Sequence, residues 1–114
     1  AAVKLANGEI LSGSNQENAA YPSGLCAERV AVYYANARYP QSSIETLLIT
    51  VLDENDDYHC EPVPPCGACR QVLTETESRQ KCPMRVLLVG KDKVLEFASA
   101  SDLLPFIFTS NELL

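Results

Sequence analysis

Ile44-Glu45-Thr46-Leu47-Leu48-Ile49-Thr50-Val51-Leu52 is a run of aliphatic and β-branched residues that a single charge interrupts. Such a run, with little polar alternation, is typical of a central strand that is buried on both faces. On its amino-terminal side, apolar residues recur at helical spacing until Pro40 closes the stretch; they are Ala27, Val30, Ala31, Tyr34 and Ala37. On its carboxy-terminal side, residues 66–79 carry a second helical pattern, and Pro65 suits a helix start. A buried strand between two helices predicts an α/β fold.

Shorter strand patterns lie towards both ends of the chain. Residues 3–5 and 10–12 flank Asn7-Gly8, a dipeptide that favours a tight hairpin turn. Residues 84–89 and 93–97 predict a second pair of strands. The order β-β-α-β-α-β-β predicts a three-layer α/β/α fold, with a mixed five-stranded sheet and helices on both faces. We expect residues 1–114 to form one domain.

The composition limits the partners and the cellular compartment. The chain has 114 residues, of which 46% are apolar, enough for one packed core. Its net charge is −6 and it has no basic run, so a nucleic acid is a poor partner. The apolar run 44–52 is far shorter than the roughly 20 residues that span a bilayer, so we expect no membrane association. The odd number of cysteines, 5, argues against a disulfide scaffold and favours reduced thiols and a cytoplasmic location.

Three cysteines have the placement of a metal site. Cys66 and Cys69 lie three apart at a predicted helix start, which puts their Cβ atoms about 5–6 Å apart on one face. That spacing alone also fits two buried structural thiols or a thioredoxin-like redox pair. Cys26 lies at another predicted helix start, where backbone N–H groups stabilise a thiolate. Three protein ligands and one open position are typical of catalytic zinc.

A closed structural zinc site is the alternative, because such a site normally has a fourth Cys or His ligand. Cys60 or His59 would have to fold back from the loop before Pro64-Pro65, and the two prolines restrict that return. We interpret Cys82, beside Pro83, as an ordinary buried thiol.

Glu28 separates a catalytic site from a structural one. A glutamate in the first turn of a helix is often no more than a favourable partner of the helix dipole. Beside a zinc-bound water, however, its carboxylate takes up a proton and delivers it to a substrate nitrogen. Zinc deaminases combine such a glutamate with the pattern H-x-E…P-C-x-x-C. The chain carries C-A-E…P-C-G-A-C, which is the three-cysteine form of that pattern.

Three thiolates exceed the charge of a divalent ion by one, which raises the pKa of bound water. Arg29 and Arg70 each follow a proposed site residue directly, and an arginine that donates to a zinc-bound sulfur withdraws charge from it. The alternative is that both are solvated surface arginines. We predict that Arg29 donates to a zinc-bound sulfur, and we rank Arg70 after Arg29 for the same role.

Four ordered motifs make the sequence similar to the cytidine deaminase family, specifically its small homotetrameric, three-cysteine type. They are Asn15-Gln16-Glu17-Asn18-Ala19-Ala20-Tyr21 for N-x-E-N-A-x-Y, C-A-E-R at 26–29, P-C-G-A-C-R-Q at 65–71, and Leu103-Leu104-Pro105-Phe106-Ile107-Phe108 for L-L-P-x-x-F. The resemblance covers nearly the whole chain. It implies hydrolytic deamination of cytidine and deoxycytidine in pyrimidine salvage, with one Zn²⁺ per subunit on Cys26, Cys66 and Cys69 and with Glu28 as the catalytic proton shuttle.

The resemblance also implies how the nucleoside is bound. The substrate-binding residues are then Asn15, Glu17, Tyr21, Ala27, Pro65 and Phe108. Asn15 and Glu17 hold the ribose 3′-hydroxyl, although without the family both would pass for turn residues. Tyr21 reaches a neighbouring subunit's site near the 5′-hydroxyl, and Phe108 packs on the pyrimidine across an interface, unless it is simply a core residue. Active sites shared in this way imply a homotetramer.

Two departures from the family are visible. Family members carry a helix and a lead-in strand before the segment that matches Ala1-Ala2-Val3, and we expect both to be missing from this sequence. The polar loop 53–61 is longer than in the family, and we interpret it as solvated.

Three alternative functions follow from the same motifs. A deaminase of another aminopyrimidine nucleoside, such as blasticidin S, shares C-A-E and P-C-G-A-C. A non-catalytic, zinc-stabilised interaction module would use Cys60 to close the coordination. A nucleic-acid editing deaminase is disfavoured, because its relatives generally place His where Cys26 stands and because the net charge is −6.

Overall fold

A computed structural model describes residues 1–113, and its elements follow the predicted order. The strands and α-helices are β1 (Ala2–Leu5), β2 (Ile10–Ser12), α1 (Ala27–Arg38), β3 (Ile44–Thr50), α2 (Gly67–Gln80), β4 (Arg85–Val89) and β5 (Val94–Phe97). Short 3₁₀ helices lie at Tyr21–Ser23, Ala100–Leu103 and Ser110–Leu113. Within these residues, no helix combines the length and the apolarity that a membrane crossing requires.

The sheet is mixed and has the order β2-β1-β3-β4-β5. Strand β3 is parallel to β4, and the other neighbouring strands are antiparallel. The predicted α/β class, the five-stranded mixed sheet and the central place of β3 are therefore confirmed. The predicted hairpin between β1 and β2 is also present, and Gly8 supplies the positive φ of 89° that its turn needs.

The core lies between one face of the sheet and the two α-helices. Val3, Leu47 and Val86 are register partners on neighbouring strands, and each is at most 1% exposed. From the helices, Val32 and Leu73 are fully buried in the same hydrophobic cluster. Helix α1 and helix α2 also contact each other, which places both on this face of the sheet.

The sequence predicted helices on both faces of the sheet, but within residues 1–113 both α-helices pack on the same face. Strand β3 is therefore not buried on both faces. On the face away from the helices, Leu48 and Leu87 are only half-buried, and Lys4 is exposed. An aliphatic run specifies a strand, but its composition does not report whether both faces are covered. The aliphatic composition of β3 was therefore not sufficient to predict helices on both faces of the sheet.

Both α-helices begin directly after a cysteine. Cys26 is the N-cap residue of α1 and Cys66 is the N-cap residue of α2, each with extended backbone torsions. Their thiols therefore lie where unpaired backbone N–H groups of the first turn converge. Since the two helices pack side by side, the fold brings both helix starts to one end of the same layer.

Candidate metal centre and active site

The three predicted ligand cysteines lie in one cluster. The Sγ atoms of Cys26 and Cys66 are 3.7 Å apart, and those of Cys66 and Cys69 are 3.5 Å apart. All three sulfurs lie within 4.8 Å of one another. Thiolates that share a tetrahedral zinc ion at about 2.3 Å are separated by about 3.8 Å. The donor set and its spacing therefore fit a zinc ion.

Neither alternative fourth ligand joins this cluster within residues 1–113. The metal-binding group there consists of Cys26, Cys66 and Cys69. His59 Nδ1 lies 2.9 Å from the carbonyl oxygen of Glu61. Cys60 is exposed in the same loop, residues 53–61. The arrangement therefore leaves a fourth coordination position open, as a catalytic zinc site does.

The thiols have different proton affinities. The pKa of Cys66 lies below its ordinary value, chiefly because the backbone N–H of Cys69 donates to its sulfur, and the neighbouring thiols add to the effect. Burial is the main influence that raises the pKa of Cys69, and the negative charge of Glu28 raises it further. A cation between the sulfurs would offset both penalties, because it favours the thiolate forms.

Arg29 lies against the cluster. Its Nη2 atom is 3.8 Å from Cys26 Sγ, and hydrogen bonding to the thiols of Cys26 and then Cys69 raises the pKa of the guanidinium. The predicted place of Arg29 beside a ligand sulfur is therefore observed. Arg70 is directed elsewhere: its guanidinium donates to the backbone carbonyls of Pro65 and Leu103, both at 2.9 Å.

Glu28 lies in the first turn of α1, on the wall of a cavity of about 860 Å³. It is 5% exposed, yet it lines this cavity together with Cys26 and Cys66. The carboxylate acts on the same cluster, since it is one of the groups that raise the pKa of the Cys69 thiol. A carboxylate shielded from bulk solvent and next to a metal site is suited to proton transfer to a molecule in the cavity.

The predicted nucleoside contacts fall into two groups. Asn15, Glu17, Tyr21 and Ala27 line the cavity. Asn15 Nδ2 donates to Glu17 Oε1 at 2.8 Å, so an amide and a carboxylate form a pair at its rim. Tyr21 is 88% exposed at the same rim.

Pro65 and Phe108 form the other group. Pro65 is buried behind Cys66, and its carbonyl oxygen accepts the hydrogen bond from Arg70. Phe108 is 59% exposed, so it is not a core residue. Within the described residues, neither is among those that line the cavity.

Another wall of the cavity was missed by the sequence interpretation. It consists of residues 49–52 at the carboxyl end of β3 and of Val63 and Pro64. The loop before Val63 passes very close to Gly90, where a Cβ atom would lie 2.6 Å from the carbonyl oxygen of Cys60. The signal in the sequence was Gly90, directly after the β4 pattern, because a glycine there allows another backbone segment to approach closely. The polar loop itself is exposed, as predicted, and ion pairs Lys91–Asp57 and Lys93–Glu61 join it to the turn after β4.

Comparison with known proteins agrees with this geometry. The profile of a family described as the cytidine and deoxycytidylate deaminase zinc-binding region matches residues 1–84. A cytidine deaminase from Halalkalibacterium halodurans is 35% identical over 115 residues, covering 99% of this chain and 78% of that protein. A probable cytidine deaminase from Dictyostelium discoideum is 31% identical over 114 residues, covering 100% of this chain and 70% of that protein.

Solved structures share the fold. A crystal structure of cytidine deaminase from Burkholderia pseudomallei superposes with a TM-score of 0.77 at 33% identity, covering 94% of this chain and 78% of that one. Cytidine deaminase from Mycobacterium tuberculosis gives a TM-score of 0.64 at 26% identity, with 94% and 75% coverage.

Proposed function

Because this chain belongs to the cytidine and deoxycytidylate deaminase family, we propose that it hydrolyses cytidine and deoxycytidine to uridine and deoxyuridine, with release of ammonia. It is a zinc-dependent hydrolase. The observation that carries the proposal is the buried carboxylate of Glu28 beside three clustered thiols on the wall of an open cavity. Relatives at 29–35% identity are named cytidine deaminases or probable cytidine deaminases.

Cys26, Cys66 and Cys69 would hold one zinc ion per chain. When bound, the ion supplies a Lewis acid that makes a water molecule more acidic. Glu28 accepts the proton that this water loses as its oxygen adds to C4 of the pyrimidine, and the same carboxylate delivers the proton to N3. Glu28 then takes the proton of the hydroxyl group now on C4 and gives it to the exocyclic amino group. The C4–N bond breaks with its electron pair on nitrogen, so ammonia leaves as the C4 carbonyl of the uracil ring forms.

The surrounding residues have supporting roles in this proposal. Arg29 holds the Cys26 sulfur and withdraws negative charge from it, which lowers the proton affinity of the whole centre. Asn15 and Glu17 bind the ribose 3′-hydroxyl, because an amide donor and a carboxylate acceptor together match a hydroxyl group. Ala27, on the cavity wall, borders the pyrimidine, and Pro65 supports the ligand Cys66 from behind.

The proposed assembly is a homotetramer with shared active sites. Tyr21 is 88% exposed and Phe108 is 59% exposed, so both rings are available to a neighbouring subunit. Tyr21 then lies near the 5′-hydroxyl, and Phe108 packs on the pyrimidine in the neighbour's cavity. The proposed setting is pyrimidine salvage in the cytoplasm, since all five cysteines are free thiols, which a reducing compartment maintains.

The test is the loss of near-ultraviolet absorbance that accompanies conversion of a cytosine to a uracil ring. Cytidine, deoxycytidine and blasticidin S are each mixed with the purified chain, and zinc content is measured on the same sample. We expect turnover of both nucleosides in proportion to bound zinc. Turnover of blasticidin S alone would assign the chain to the other deaminase class. A zinc-loaded chain inactive on all three would favour an interaction module.

A further inference from the structure

Residues 103–108, which begin at the end of the 3₁₀ helix Ala100–Leu103, are hydrogen-bonded to α2 at both ends of the segment. Arg70 Nη1 donates to the carbonyl oxygen of Leu103 at 2.9 Å, and Gln71 Nε2 donates to the carbonyl oxygen of Phe108 at 2.8 Å. The two donors are consecutive residues that directly follow the ligand Cys69. Residues 103–108 are therefore anchored on α2 directly after the proposed ligand Cys69.

The aromatic rings of this segment are largely exposed within residues 1–113. Phe106 is fully exposed and has a φ of 53°, in the left-handed region that a bulky residue rarely adopts. Phe108 is 59% exposed. In such an irregular segment, the direction in which a ring leaves the protein depends on where the backbone is fixed. The hydrogen bond from Gln71 fixes it at Phe108 itself.

We propose that Gln71 is a positioning residue for nucleoside binding, which acts by holding the Phe108 carbonyl and so directing the Phe108 ring. The inference rests on the proposed function, in which that ring packs on the pyrimidine in a neighbouring subunit. Gln71 lies two residues after Cys69 on the same helix. One rigid turn of α2 therefore sets both the metal centre of its own chain and the aromatic contact that the chain offers to its neighbour.

Gln71→Glu tests the hydrogen bond with little change of size, because an ionised carboxylate has no donor for a carbonyl oxygen. We expect KM for cytidine to rise about fivefold, as for loss of one hydrogen bond, with kcat and zinc content unchanged. Gln71→Lys restores a donor, and KM should return most of the way to the wild-type value. Arg79→Gln, on an exposed position of the same helix, changes the net charge by the same amount and should leave KM unchanged.

A double-mutant cycle with Phe108→Leu tests whether Gln71 changes KM through the Phe108 ring. If Gln71 acts through the Phe108 ring, Gln71→Glu adds little to the KM of Phe108→Leu. Independent, multiplicative effects on KM would overturn the proposal. Hydrogen–deuterium exchange gives a readout besides activity: amides of residues 106–108 should exchange faster in Gln71→Glu than in Arg79→Gln. Equal exchange in the two variants would overturn the anchoring.

Loss of the Gln71 role and loss of the proposed function would give different results. A wild-type chain that deaminates cytidine, combined with an unchanged KM in Gln71→Glu, removes the role of Gln71 and leaves the proposed function intact. A zinc-loaded wild-type chain that deaminates neither cytidine nor deoxycytidine removes the proposed function, and the nucleoside-binding role of Gln71 with it.

Discussion

The Sγ atoms of Cys26 and Cys66 lie 3.7 Å apart although the two residues are 40 positions apart in the sequence. Each is the N-cap of an α-helix, and the two helices pack against each other on one face of the sheet. The cysteine cluster is therefore formed by helix packing, and its geometry depends on how the two helices pack on the core. The position of Glu28, in the first turn of α1, depends on the same helix packing.

Cys69→Ser should lose most of the bound zinc and lower the melting temperature. A serine hydroxyl is a poor zinc ligand at neutral pH, and bound metal contributes its binding free energy to folding. Elemental analysis and a thermal melt measure the two effects. Cys82→Ser, which changes a half-buried thiol outside the cluster, should keep the metal. Full zinc occupancy in Cys69→Ser would show that Cys69 is not a ligand.

Arg29→Gln should lower kcat about 10- to 100-fold while zinc stays bound. The variant removes the positive charge beside the Cys26 sulfur, so the one negative charge by which three thiolates exceed a divalent ion is no longer offset, and the centre holds its proton more tightly. The pH profile of kcat should move to higher pH for the same reason. Arg38→Gln, at the exposed end of α1, is the matched control. A kcat for Arg29→Gln equal to that of Arg38→Gln would exclude the role of Arg29.

Glu77→Gln should destabilise the fold by about 2 kcal/mol at neutral pH, as for loss of charged hydrogen bonds. The carboxylate of Glu77 accepts hydrogen bonds at 2.7–3.2 Å that join α2 to two later segments; the donors belong to Met84, Ser99, Ala100 and Ser101. Burial is the largest single influence and raises the pKa of Glu77, but these hydrogen bonds together hold it below its ordinary value of 4.5.

A folded-state pKa below the unfolded one means that this stabilisation is complete above the unfolded value and is lost as the pH falls through the folded one. Urea unfolding at fixed protein and zinc concentrations should therefore show the difference between wild type and Glu77→Gln shrinking as the pH falls from neutrality to below 4.5. Glu54→Gln, in the exposed loop, should show no difference at any pH. A pH-independent difference for Glu77→Gln would contradict this assignment.

Gly90→Ala should cost about 1–3 kcal/mol of stability and raise KM. The added Cβ would lie 2.6 Å from the carbonyl oxygen of Cys60 and 2.7 Å from the backbone nitrogen of Pro62, and backbone atoms cannot rotate away. The loop must then shift, and with it Val63 on the cavity wall. Gly67→Ala is the comparison for stability, because a Cβ there meets no atom within 4 Å. Equal unfolding free energies in the two variants would refute the close approach.

The local elements were predictable because their signals are local. Helix α2 spans Gly67–Gln80 where the pattern predicted 66–79, and β3 spans Ile44–Thr50 where it predicted 44–52. Helical and strand periodicity depend on neighbours a few residues away. The grouping of Cys26 with Cys66 and Cys69 was predicted from ligand chemistry and family motifs, since no periodicity connects residues so far apart.

The remaining features depend on contacts between distant segments. Within residues 1–113, the half-buried face of β3 is the one opposite to α1 and α2, and a run of aliphatic residues does not encode on which face the helices pack. The bond between Gln71 and Phe108 joins residues 37 positions apart, and the approach of Gly90 to Cys60 joins 2 separate loops. A glutamine after a metal ligand and a glycine after a strand are too common to predict such contacts.

Glu28→Gln is the most direct test of the central claim that Glu28 moves the proton in a zinc-dependent deamination. The amide keeps the size of the side chain but cannot carry the proton, so kcat for cytidine should fall by about 10²- to 10⁴-fold. Zinc content and melting temperature should match those of the wild-type chain, which is assayed in parallel by near-ultraviolet absorbance. Near-normal uridine production by zinc-loaded Glu28→Gln would contradict the account.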